Sequence, residues 1–532
     1  MKRFIVGSTW DRTNRNGINN NFDYLFDGVA TMNNLSIKAD ATLLKADAVL
    51  LNAENINNSN VDVQNQLDNI ILESGTSDAE VVQSRTDYNG NTFPLLKDRL
   101  NNTDKSILSR GANVIDFGAV GDGVTDDTQA FKDAIASGYK TVYAPNKTFL
   151  ITETINIEDN NIAVFFEGEL TFNNNDVCIS VTGDDNVIEL NINGLNKARV
   201  GIDVIGKNNV IINSNVKNIY SDNDSALGVN VANNGYNKVI NCKIENIKSE
   251  GNSIAGDSNG ASRAIRVVGL SINDGETLLK DNTLIDVGGE EGDSIHLIAP
   301  LKNKMIVRVI GNHIKTFSRR AIKIQCSNTE ITGNLIENYT EHPSLIRAID
   351  IQGVDNTTIF NNHFKIQYVS CIGVAGQDGK KVINTKILNN KIESLTDHSI
   401  IYTTQVESLE FKDNSIFKGG PLIFNDIKNC KVVNNIIDSL LIDDTRYPMS
   451  FMQSGDNTTI MGNIITGTSY YRPLRSNSTN VRIIGNVFTD FVGGIEVSST
   501  GNGIVANNIV KAQNVISTPG ENYQVENNTL VN

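Results

Sequence analysis

One short phrase recurs thirteen times between Val210 and the C-terminus: an apolar residue, two variable positions, a polar residue that is usually Asn, one more variable position, and then Ile, Val, Phe or Leu. Successive copies lie 21 to 30 residues apart, with one longer step of 40. β-branched residues on both sides of a polar corner, at this period, are typical of one turn of a stacked coil and not of a helical repeat. Each coil can bury its apolar face only on the next coil, so the phrase predicts an all-β solenoid.

The polar position of the phrase is predicted to belong to the scaffold. A solenoid corner bends through a residue in the left-handed region, which Gly, Asn and Asp adopt most readily. Asn side chains stacked on successive coils also bond to one another as a ladder. The thirteen polar positions are Ser214, Cys242, Asn282, Asn312, Asn334, Asn362, Asn390, Asn414, Asn435, Asn463, Asn486, Asn507 and Asn528. We expect no chemistry from them.

Length and composition exclude several classes of function. The 532 residues exceed the usual size of one compact core, which favours an elongated solenoid. A net charge of −15 argues against nucleic acid as a partner, because phosphate binding needs a basic face. The five cysteines are widely separated in apolar segments and are predicted to be buried free thiols. Because zinc motifs and long apolar runs are missing from the sequence, no metal, no cofactor and no membrane insertion are expected.

Residues 35–74 carry a heptad pattern. From Leu35 to Ile70 the mostly apolar positions recur with a strict 3,4 spacing, which is typical of a coiled coil. The a positions are Ala39, Ala46, Ala53, Asn60 and Leu67, and the d positions are Leu35, Thr42, Val49, Ile56, Val63 and Ile70. β-branched residues at d disfavour a dimer, so the pattern predicts a trimeric stalk and a homotrimer. The alternative is a single amphipathic helix packed on a globular domain.

A helix that covers the end of the coil stack is predicted near residue 128. Asp126, Asp127 or Thr128 can cap its N-terminus, and Gly138 ends it. Its apolar stripe consists of Ala130, Phe131, Ala134 and Ile135. Packed on the open end of the stack, this stripe protects the first strands from unwanted pairing. We interpret the nearby carboxylates, including Asp122, as turn and cap groups rather than as metal ligands or acid–base groups.

The segment VIDFGAVGDGVTDDTQAF, at residues 114–131, resembles the N-terminal motif of the pectate-lyase-like superfamily. This superfamily consists of right-handed, single-stranded parallel β-helices and includes phage tailspikes and capsule depolymerases. Its usual Pro-x-Gly-like turn is replaced here by Pro145, Asn146 and Lys147. The resemblance implies an all-β protein in which a right-handed single-stranded parallel β-helix over residues 111–532 follows an N-terminal α-helical coiled-coil stalk.

The N-terminal region resembles parts of phage proteins. STWDRTNRNGINNNFDYLF and AEVVQSRTDYNGNTFPLLKDRL are similar to segments that precede receptor-binding modules in tail proteins of phages of Gram-positive bacteria. The resemblance implies that residues 1–34 attach to phage tail or baseplate proteins, ahead of the stalk at 35–74 and a connector at 75–110. An Asn-Gly turn at 89–90 is predicted in the connector. With only FIV as an apolar run near the start, no signal peptide is expected. The implied location is the virion tail, acting at the host cell surface after synthesis in the host cytoplasm.

Six strand segments that precede Asn corners share one alternating pattern and indicate a binding face. Their third and fifth positions are apolar and predicted to point inward, so the second, fourth and sixth are expected to face solvent. The fourth positions are Arg266, His296, Lys323, Asp350, Gly373 and Tyr402. The first positions include Arg263, Arg320 and Arg347, and the sixth include Gln325 and Gln352. Stacked cationic groups repel one another, so the fourth-position column predicts an anionic ligand, and planar Arg and Gln side chains suit its phosphates and hydroxyls.

Carboxylates near this column suggest acid–base chemistry. A glycine-rich acidic turn brings Glu291 and Asp293 beside His296. Carboxylates two coils apart are separated by about 9 to 10 Å, which suits an inverting pair, whereas adjacent coils suit a retaining pair. The candidate catalytic pair is therefore Asp350 with Asp293 or Glu291. The alternative is an ordinary solvated ladder in which Asp350 neutralises a neighbouring lysine.

Two classes of function fit these residues. The resemblance implies a depolymerase of wall teichoic acid, capsular polysaccharide or exopolysaccharide. It would act as a hydrolase through the carboxylate pair, with Arg266 and Lys323 holding the anionic substrate. A lyase, which is less favoured, would use Lys323 or His296 as base, with Arg266 stabilising the enolate. Tyr402, Tyr470 and Tyr471 are candidate sugar platforms. The second class is a non-catalytic adsorption spike that binds the polymer by repeated contacts on three subunits.

Overall fold

The structure is a computed structural model. It describes residues 83–87 and 90–100 and, from 111 to 531, all residues except 223, 234, 251–260, 270–274, 301–303, 441–447, 453–455, 470–471, 492, 498–500, 512–515 and 518–521. The chain divides into two units, Met1–Ser109 and Arg110–Asn532. The predicted attachment segment at 1–34 and the predicted stalk at 35–74 lie outside the described residues.

The described part of the connector contains a tight turn. Thr86 and Thr92 form an antiparallel bridge, and the Asp87 carboxylate accepts a hydrogen bond from the Asn91 N–H at 2.8 Å. Gly90 lies in the left-handed region with φ of 82°. The turn predicted at 89–90 is thus seen around Gly90.

Within the described ranges, the second unit consists of two long sheets whose strand pairings are all parallel. The 15-stranded sheet, sheet 1, comprises Ile155–Ile157, Val177–Val181, Val200–Val204, Ala226–Asn233, Ala261–Gly269, Glu291–Ile298, Arg320–Gln325, Arg347–Gln352, Ser370–Ala375, Ile401–Thr404, Leu422–Asn425, Met449–Met452, Leu474–Ser476, Ile495–Val497 and Ile516–Ser517. This is the sheet that carries the predicted binding face.

The 32-stranded sheet, sheet 2, consists of two stacks of strands that share Ala163–Phe172 and Val187–Asn193. Its other strands in the first stack are Ala112–Asn113, Thr141–Ala144, Val210–Ile212, Lys238–Ile240, Glu276–Lys280, Ile306–Ile310, Thr329–Thr332, Thr357–Phe360, Val382–Leu388, Val406–Lys412, Ile427–Val433, Thr459–Met461, Val481–Ile484, Gly503–Ala506 and Tyr523–Glu526. In the second stack they are Asp122–Asp126, Thr148–Ile151, Asn215–Ser221, Lys243–Ser249, Thr283–Gly288, His313–Phe317, Leu335–Asn338, His363–Ile366, Lys391–Ser394, Ser415–Phe417, Ile436–Leu440, Ile464–Ser469, Val487–Phe491, Ile509–Val510 and Thr529–Leu530. Three strands per coil, each paired with the next coil, make a parallel β-helix.

Alternate side chains of these strands fill one continuous core. In Ala163–Phe172, for example, Val164, Phe166, Leu170 and Phe172 are buried, and the residues between them are more exposed. The same alternation of β-branched and aromatic residues continues through the later coils. The period-2 pattern that predicted strands is therefore also what builds the core.

The Asn of the repeated phrase points into the core and forms the predicted ladder. The Nδ2 of Asn312 donates to Oδ1 of Asn334 at 2.9 Å, and the backbone N–H of Asn312 donates to the same oxygen at 2.8 Å. This pair of bonds recurs in ten consecutive steps from Asn282 to Asn528. Each ladder amide is thus satisfied inside an apolar core.

Two details of the ladder prediction are wrong. The residue in the left-handed region precedes the ladder Asn: Asn389 has φ of 53°, whereas Asn390 lies outside that region. The backbone bends at the residue before the ladder Asn, because the side chain of the ladder Asn itself must point into the core. In the copy IVANNI the ladder member is Asn508, and Asn507 is the left-handed residue with φ of 57°. Two adjacent Asn residues made this shift of one position invisible in the sequence.

The predicted end helix is an α-helix over Thr128–Ala136, and Val114–Phe117 forms a 3-10 helix before it. The predicted apolar stripe is confirmed: all four of its residues are buried, and the Phe131 ring packs edge-on against Phe149 and Phe166 with centroids 5.1 and 5.0 Å away. The Asp127 carboxylate accepts from the Val120 N–H at 2.6 Å, so it fixes a turn, as interpreted. No helix in the described ranges has the length and hydropathy needed to cross a membrane.

All five cysteines are buried and free, as predicted. Cys242 occupies the ladder position before Asn282, and its backbone N–H donates to Oδ1 of Asn282 at 2.9 Å. Burial raises the pKa of the Cys242 thiol to about 11. These thiols are therefore core groups.

Candidate functional site

The six predicted strands lie side by side in sheet 1. Their register pairs Arg266 with His296, His296 with Lys323, and Lys323 with Asp350. Asp350 then pairs with Gly373, and Gly373 pairs with Tyr402. The fourth-position residues thus form one column, with neighbours about 4.8 Å apart. We call this surface the column face.

The second positions of these strands do not face solvent, so that part of the prediction is wrong. They are Ala264, Ser294, Ala321, Ala348, Cys371 and Ile400, and all of them are buried. Two consecutive buried residues, at the second and third positions, mark the corner at which each coil enters the strand. The alternation predicted from the sequence therefore begins only after this corner.

Beside the column runs a ladder of alternating charges, the ion ladder, formed by Arg263, Asp293, Arg320, Asp350 and Arg347. Arg263 Nη2 lies 3.2 Å from Asp293 Oδ2, and Arg320 Nη1 lies 3.1 Å from Asp293 Oδ1. Arg320 Nε and Arg347 Nη1 donate to the two oxygens of Asp350, each at 2.8 Å. Burial opposes the charge on Arg320, but Asp293 and Asp350 outweigh that effect and raise the pKa of its guanidinium. The predicted substrate-binding residues Arg263 and Arg320 are therefore buried and engaged in this ladder.

Asp350, the main candidate for proton transfer, does not face solvent. Its exposed fraction is 0 %, and Asp293 is also 0 % exposed. Besides the two arginines, Gln352 Nε2 donates to Asp350 Oδ2 at 2.7 Å. Long side chains from its own strand and from the preceding coil thus cover the carboxylate, which the alternation within the strand does not reveal.

A chain of hydrogen bonds fixes the protonation of His296. Because a carboxylate only accepts, Gln352 turns its amide nitrogen to Asp350 and its oxygen to Gln325, whose Nε2 lies 3.0 Å away. The Gln325 oxygen then accepts from His296 Nε2 at 2.9 Å, and His296 Nδ1 accepts from Arg263 Nε at 3.2 Å. Burial, followed by the charges of Arg263 and Lys323, holds the pKa of His296 well below its usual value. His296 is a neutral imidazole with both nitrogens in use, which does not favour its predicted role as a base.

Glu291 is the more accessible of the predicted carboxylates. Its side chain is 24 % exposed and lies 3.3 Å from Arg263 Nη2. Arg319 Nη1 donates to its other oxygen. The sequence prediction missed Arg319, although the Arg-Arg pair at the strand entry was a signal that one arginine turns inward and the other outward. Glu291 is therefore held by two guanidinium groups.

Two cations of the column lack a partner. Arg266 and Lys323 are half-buried, and neither side chain forms an ion pair or hydrogen bond with any residue that the structure describes. Burial is the main cause that lowers the pKa of each group. They lie one coil on either side of His296, about 9 to 10 Å apart by strand spacing. The column face thus presents two unpaired positive charges around a neutral imidazole.

Neutral polar groups surround these cations. Gln325 and Gln352 are half-buried, and Gln325 Nε2 also lies 3.3 Å from Oε1 of the exposed Gln377, which the sequence prediction missed. The Arg347 guanidinium lies over the Tyr402 ring, 5.5 Å from its centre. Tyr470 and Tyr471 lie outside the described residues. In the part of the chain that the structure describes, no group of three or more His, Cys, Asp or Glu side chains is arranged to hold a metal.

Comparison with known proteins gives short matches to phage appendages. The pre-neck appendage protein of Bacillus phage B103 is 52% identical over 52 residues, which are 10% of this chain and 6% of that protein. The putative phage-related protein YobO of Bacillus subtilis (strain 168) is 38% identical over 93 residues, which are 17% of this chain and 11% of that protein. The chain therefore spans only a small part of the length of these relatives. No family model matches it.

Among solved structures, a mutant tailspike protein of E. coli bacteriophage HK620, in complex with a pentasaccharide, superposes with a TM-score of 0.52. The match covers 80% of this chain and 85% of that one at 12% identity, so it concerns the fold alone. The parallel β-helix fold of the chain is thus shared with a phage tailspike, and short segments of its sequence are similar to phage appendages. Both findings support the resemblance to phage tailspikes and appendages that the sequence motifs indicated.

Proposed function

We propose that the protein is a receptor-binding protein of a phage tail that holds an anionic glycopolymer of the host cell surface on its column face. Wall teichoic acid and acidic capsular polysaccharide or exopolysaccharide have the required chemistry. The observation that carries the proposal is the pair of half-buried, unpaired cations, Arg266 and Lys323. The phage appendages that match the chain support a place in the virion tail, with attachment through residues 1–34.

The electrostatics of the column face favour an anion as the ligand. The chain carries a net charge of −15, so cations are not needed on this face for solubility. Partial burial of a charge without a partner is unfavourable, and the pKa values of Arg266 and Lys323 are lowered for that reason. A phosphate or carboxylate of a ligand would supply the missing partner. The amides of Gln325 and Gln377 beside the cations suit sugar or polyol hydroxyls.

Binding is better supported than cleavage. A hydrolase needs an acid that can pass a proton to its substrate, but Asp350 and Asp293 are fully buried and paired with arginines. A lyase needs a base, but the nitrogens of His296 are both engaged, and the other candidate, Lys323, is one of the two cations that this proposal assigns to the anion of the ligand. The proposal is therefore the adsorption spike, with depolymerisation as the outcome that a product assay would reveal.

Replacement of the two cations tests this proposal. We expect the Arg266→Ala and Lys323→Ala variants each to bind purified host wall polymer about tenfold more weakly, because each loses a charge-assisted contact. The salt dependence of binding should weaken together with the affinity. Isothermal titration at several salt concentrations measures both quantities.

A matched control is Lys391→Ala, which also removes one positive charge but from an exposed lysine of sheet 2 that pairs with Glu393. Equal binding by the three variants and the wild type would reject the column face as the site. The same mixtures are examined for shortened polymer. Shortening by the wild type would show that the protein is a depolymerase as well.

A further inference from the structure

We propose a second polymer-binding site, the amide groove, on the C-terminal coils of sheet 2. Its principal residues are Asn429, Lys431, Asn457, Asn480, Arg482 and Gln524. It would bind the same class of ligand as the column face, an anionic polymer rich in hydroxyls, so the ligand class rests on the proposed function. The two sites lie on different sheets and share no residue.

The groove is built by a repeated pattern in five successive coils. In each coil an outward Asn is followed by one inward residue and then by a second outward residue. The Asn residues are Asn429, Asn457, Asn480, Asn502 and Asn522. The second outward residues are Lys431, Thr459, Arg482, Ile504 and Gln524. The second residues pair with one another in register. Together they line a groove of about 590 Å³, which is within the size range of ligand sites.

The amides have a structural reason to be Asn, but the cation does not. Asn429, Asn457 and Asn480 have φ of 52°, 59° and 52°, a backbone that Asn tolerates well. Asn457 Nδ2 donates to Asn429 Oδ1 at 3.0 Å, so the exposed amides form a row of their own. Left-handed backbone and amide stacking thus explain why Asn429, Asn457 and Asn480 are Asn. They do not explain why an arginine follows this row.

Arg482 is an exposed cation without a partner. Its guanidinium forms no ion pair or hydrogen bond with any described residue. Further up the same column of strands, by contrast, Arg308 lies between Glu276 and Glu330 and pairs with both. In this acidic chain, carboxylates therefore neutralise Arg308 at one end of the column, whereas Arg482 in the groove is unpaired. The row of amides next to Arg482 then supplies donors and acceptors for hydroxyls.

A second cation of the groove is only weakly held. Lys431 Nζ lies 2.9 Å from Glu410 Oε1, but its side chain is 60% exposed. Such exposed pairs contribute little, because water and salt screen them. A ligand phosphate or carboxylate can therefore replace Glu410 at Lys431 while it also contacts Arg482, which is two coils away.

The two sites are placed so that one polymer can reach both. Six strand pairings separate the strand of Lys323 from Leu474–Ser476, the strand of sheet 1 that directly precedes Arg482. This corresponds to about 29 Å along the coil axis. A polymer bound at the column face would bind the groove as an intramolecular step, which raises the overall affinity without a new partner.

The test uses the intact chain and two probe polymers of equal length, poly(glycerol phosphate) and polygalacturonate, which separate phosphate from carboxylate recognition. We expect Arg482→Ala to weaken binding of the recognised polymer about tenfold. Arg482→Lys should weaken it less, because it keeps the charge but not the planar fork. The control Lys511→Ala removes an exposed cation that pairs with Asp490, outside the groove, and should leave binding unchanged.

The same substitutions are then made in a chain that already carries Arg266→Ala and Lys323→Ala. A further loss caused by Arg482→Ala in this background supports the groove. An effect no larger than that of Lys511→Ala in both backgrounds overturns it, even if the Arg266→Ala and Lys323→Ala changes alone weaken binding as the proposed function requires. A loss with Arg482→Ala but none from the other two changes supports the groove and rejects the column face. A wild type that binds neither polymer overturns the groove.

Discussion

At the scale of single residues, the buried charged side chains of the ion ladder have a structural role. Asp350 accepts from Arg320, Arg347 and Gln352, and the same contacts that hold it in place also remove it from solvent. Removing one member of a buried ion pair leaves the other charge without compensation, which is far more costly than losing an exposed pair. The ion ladder is therefore expected to contribute to stability and to the position of the column face.

The Asp350→Asn variant tests this role. It should lower the free energy of unfolding by about 3 to 5 kcal/mol, because the buried Arg320 and the half-buried Arg347 lose their shared anion. Asp176→Asn is the control: Asp176 pairs with Arg199 at 3.3 Å but is 66% exposed, so a change below about 1 kcal/mol is expected. Chemical denaturation measures both.

The opposite result would support proton transfer by Asp350. In that case the free energy of unfolding of Asp350→Asn would change as little as that of the Asp176→Asn control. The substitution would also abolish a polymer-shortening activity that the wild type shows. The ion ladder would then be a catalytic arrangement and not a structural one.

At the scale of strands and corners, the features that could be predicted from the sequence are those set by the local periodicity of apolar residues. The column of Arg266, His296 and Lys323 follows from the alternation within each strand, and the register confirms the order of its members. The stripe of the end helix follows from a spacing of three and four residues in the same way. Each of these features depends only on residues close together in the chain.

Features that depend on neighbouring coils could not be predicted in this way. Whether Asp350 is covered depends on how far Arg320 and Arg347 extend, and these belong to its own and an adjacent strand. The bond between Arg319 and Glu291 links residues 28 apart. At Asn507 and Asn508 the pattern fits both positions, and only the bonds to the neighbouring coils decide between them.

Adjacent Asn residues of one corner provide a test of the ladder. Asn390 donates to Asn414 and accepts from Asn362 inside the core. Asn390→Ala removes the acceptor of the buried Asn362 backbone N–H and the side-chain donor to the Ile359 carbonyl, and should lower the free energy of unfolding by about 2 to 4 kcal/mol. Asn389→Gly should change it by less than about 1 kcal/mol, because glycine adopts the left-handed backbone of that position without strain. Similar effects in chemical denaturation would show that the ladder contributes no special stability.

At the scale of the whole molecule, the proposed sites gain strength from repetition. One contact between a cation and a single anionic group of a polymer is weak when water screens it. The column face and the amide groove would each supply such contacts along one coil stack, and association of chains through residues 35–74 would multiply them on one appendage. The predicted oligomer is thus part of the binding argument.

The heptads make the oligomer testable in the full chain. We expect the wild type to have three times its chain mass of 58.0 kDa, measured by light scattering after size exclusion. The double variant Val49→Asp and Ile56→Asp places charges at two d positions and should reduce this mass, because a buried carboxylate in a coiled coil has no partner. Ala48→Asp with Asn55→Asp adds the same charge at outward c positions and should leave the mass unchanged. A wild type of 58.0 kDa, or equal masses for the two double variants, would reject the trimeric stalk, and the polymer would then have to be held by a single coil stack.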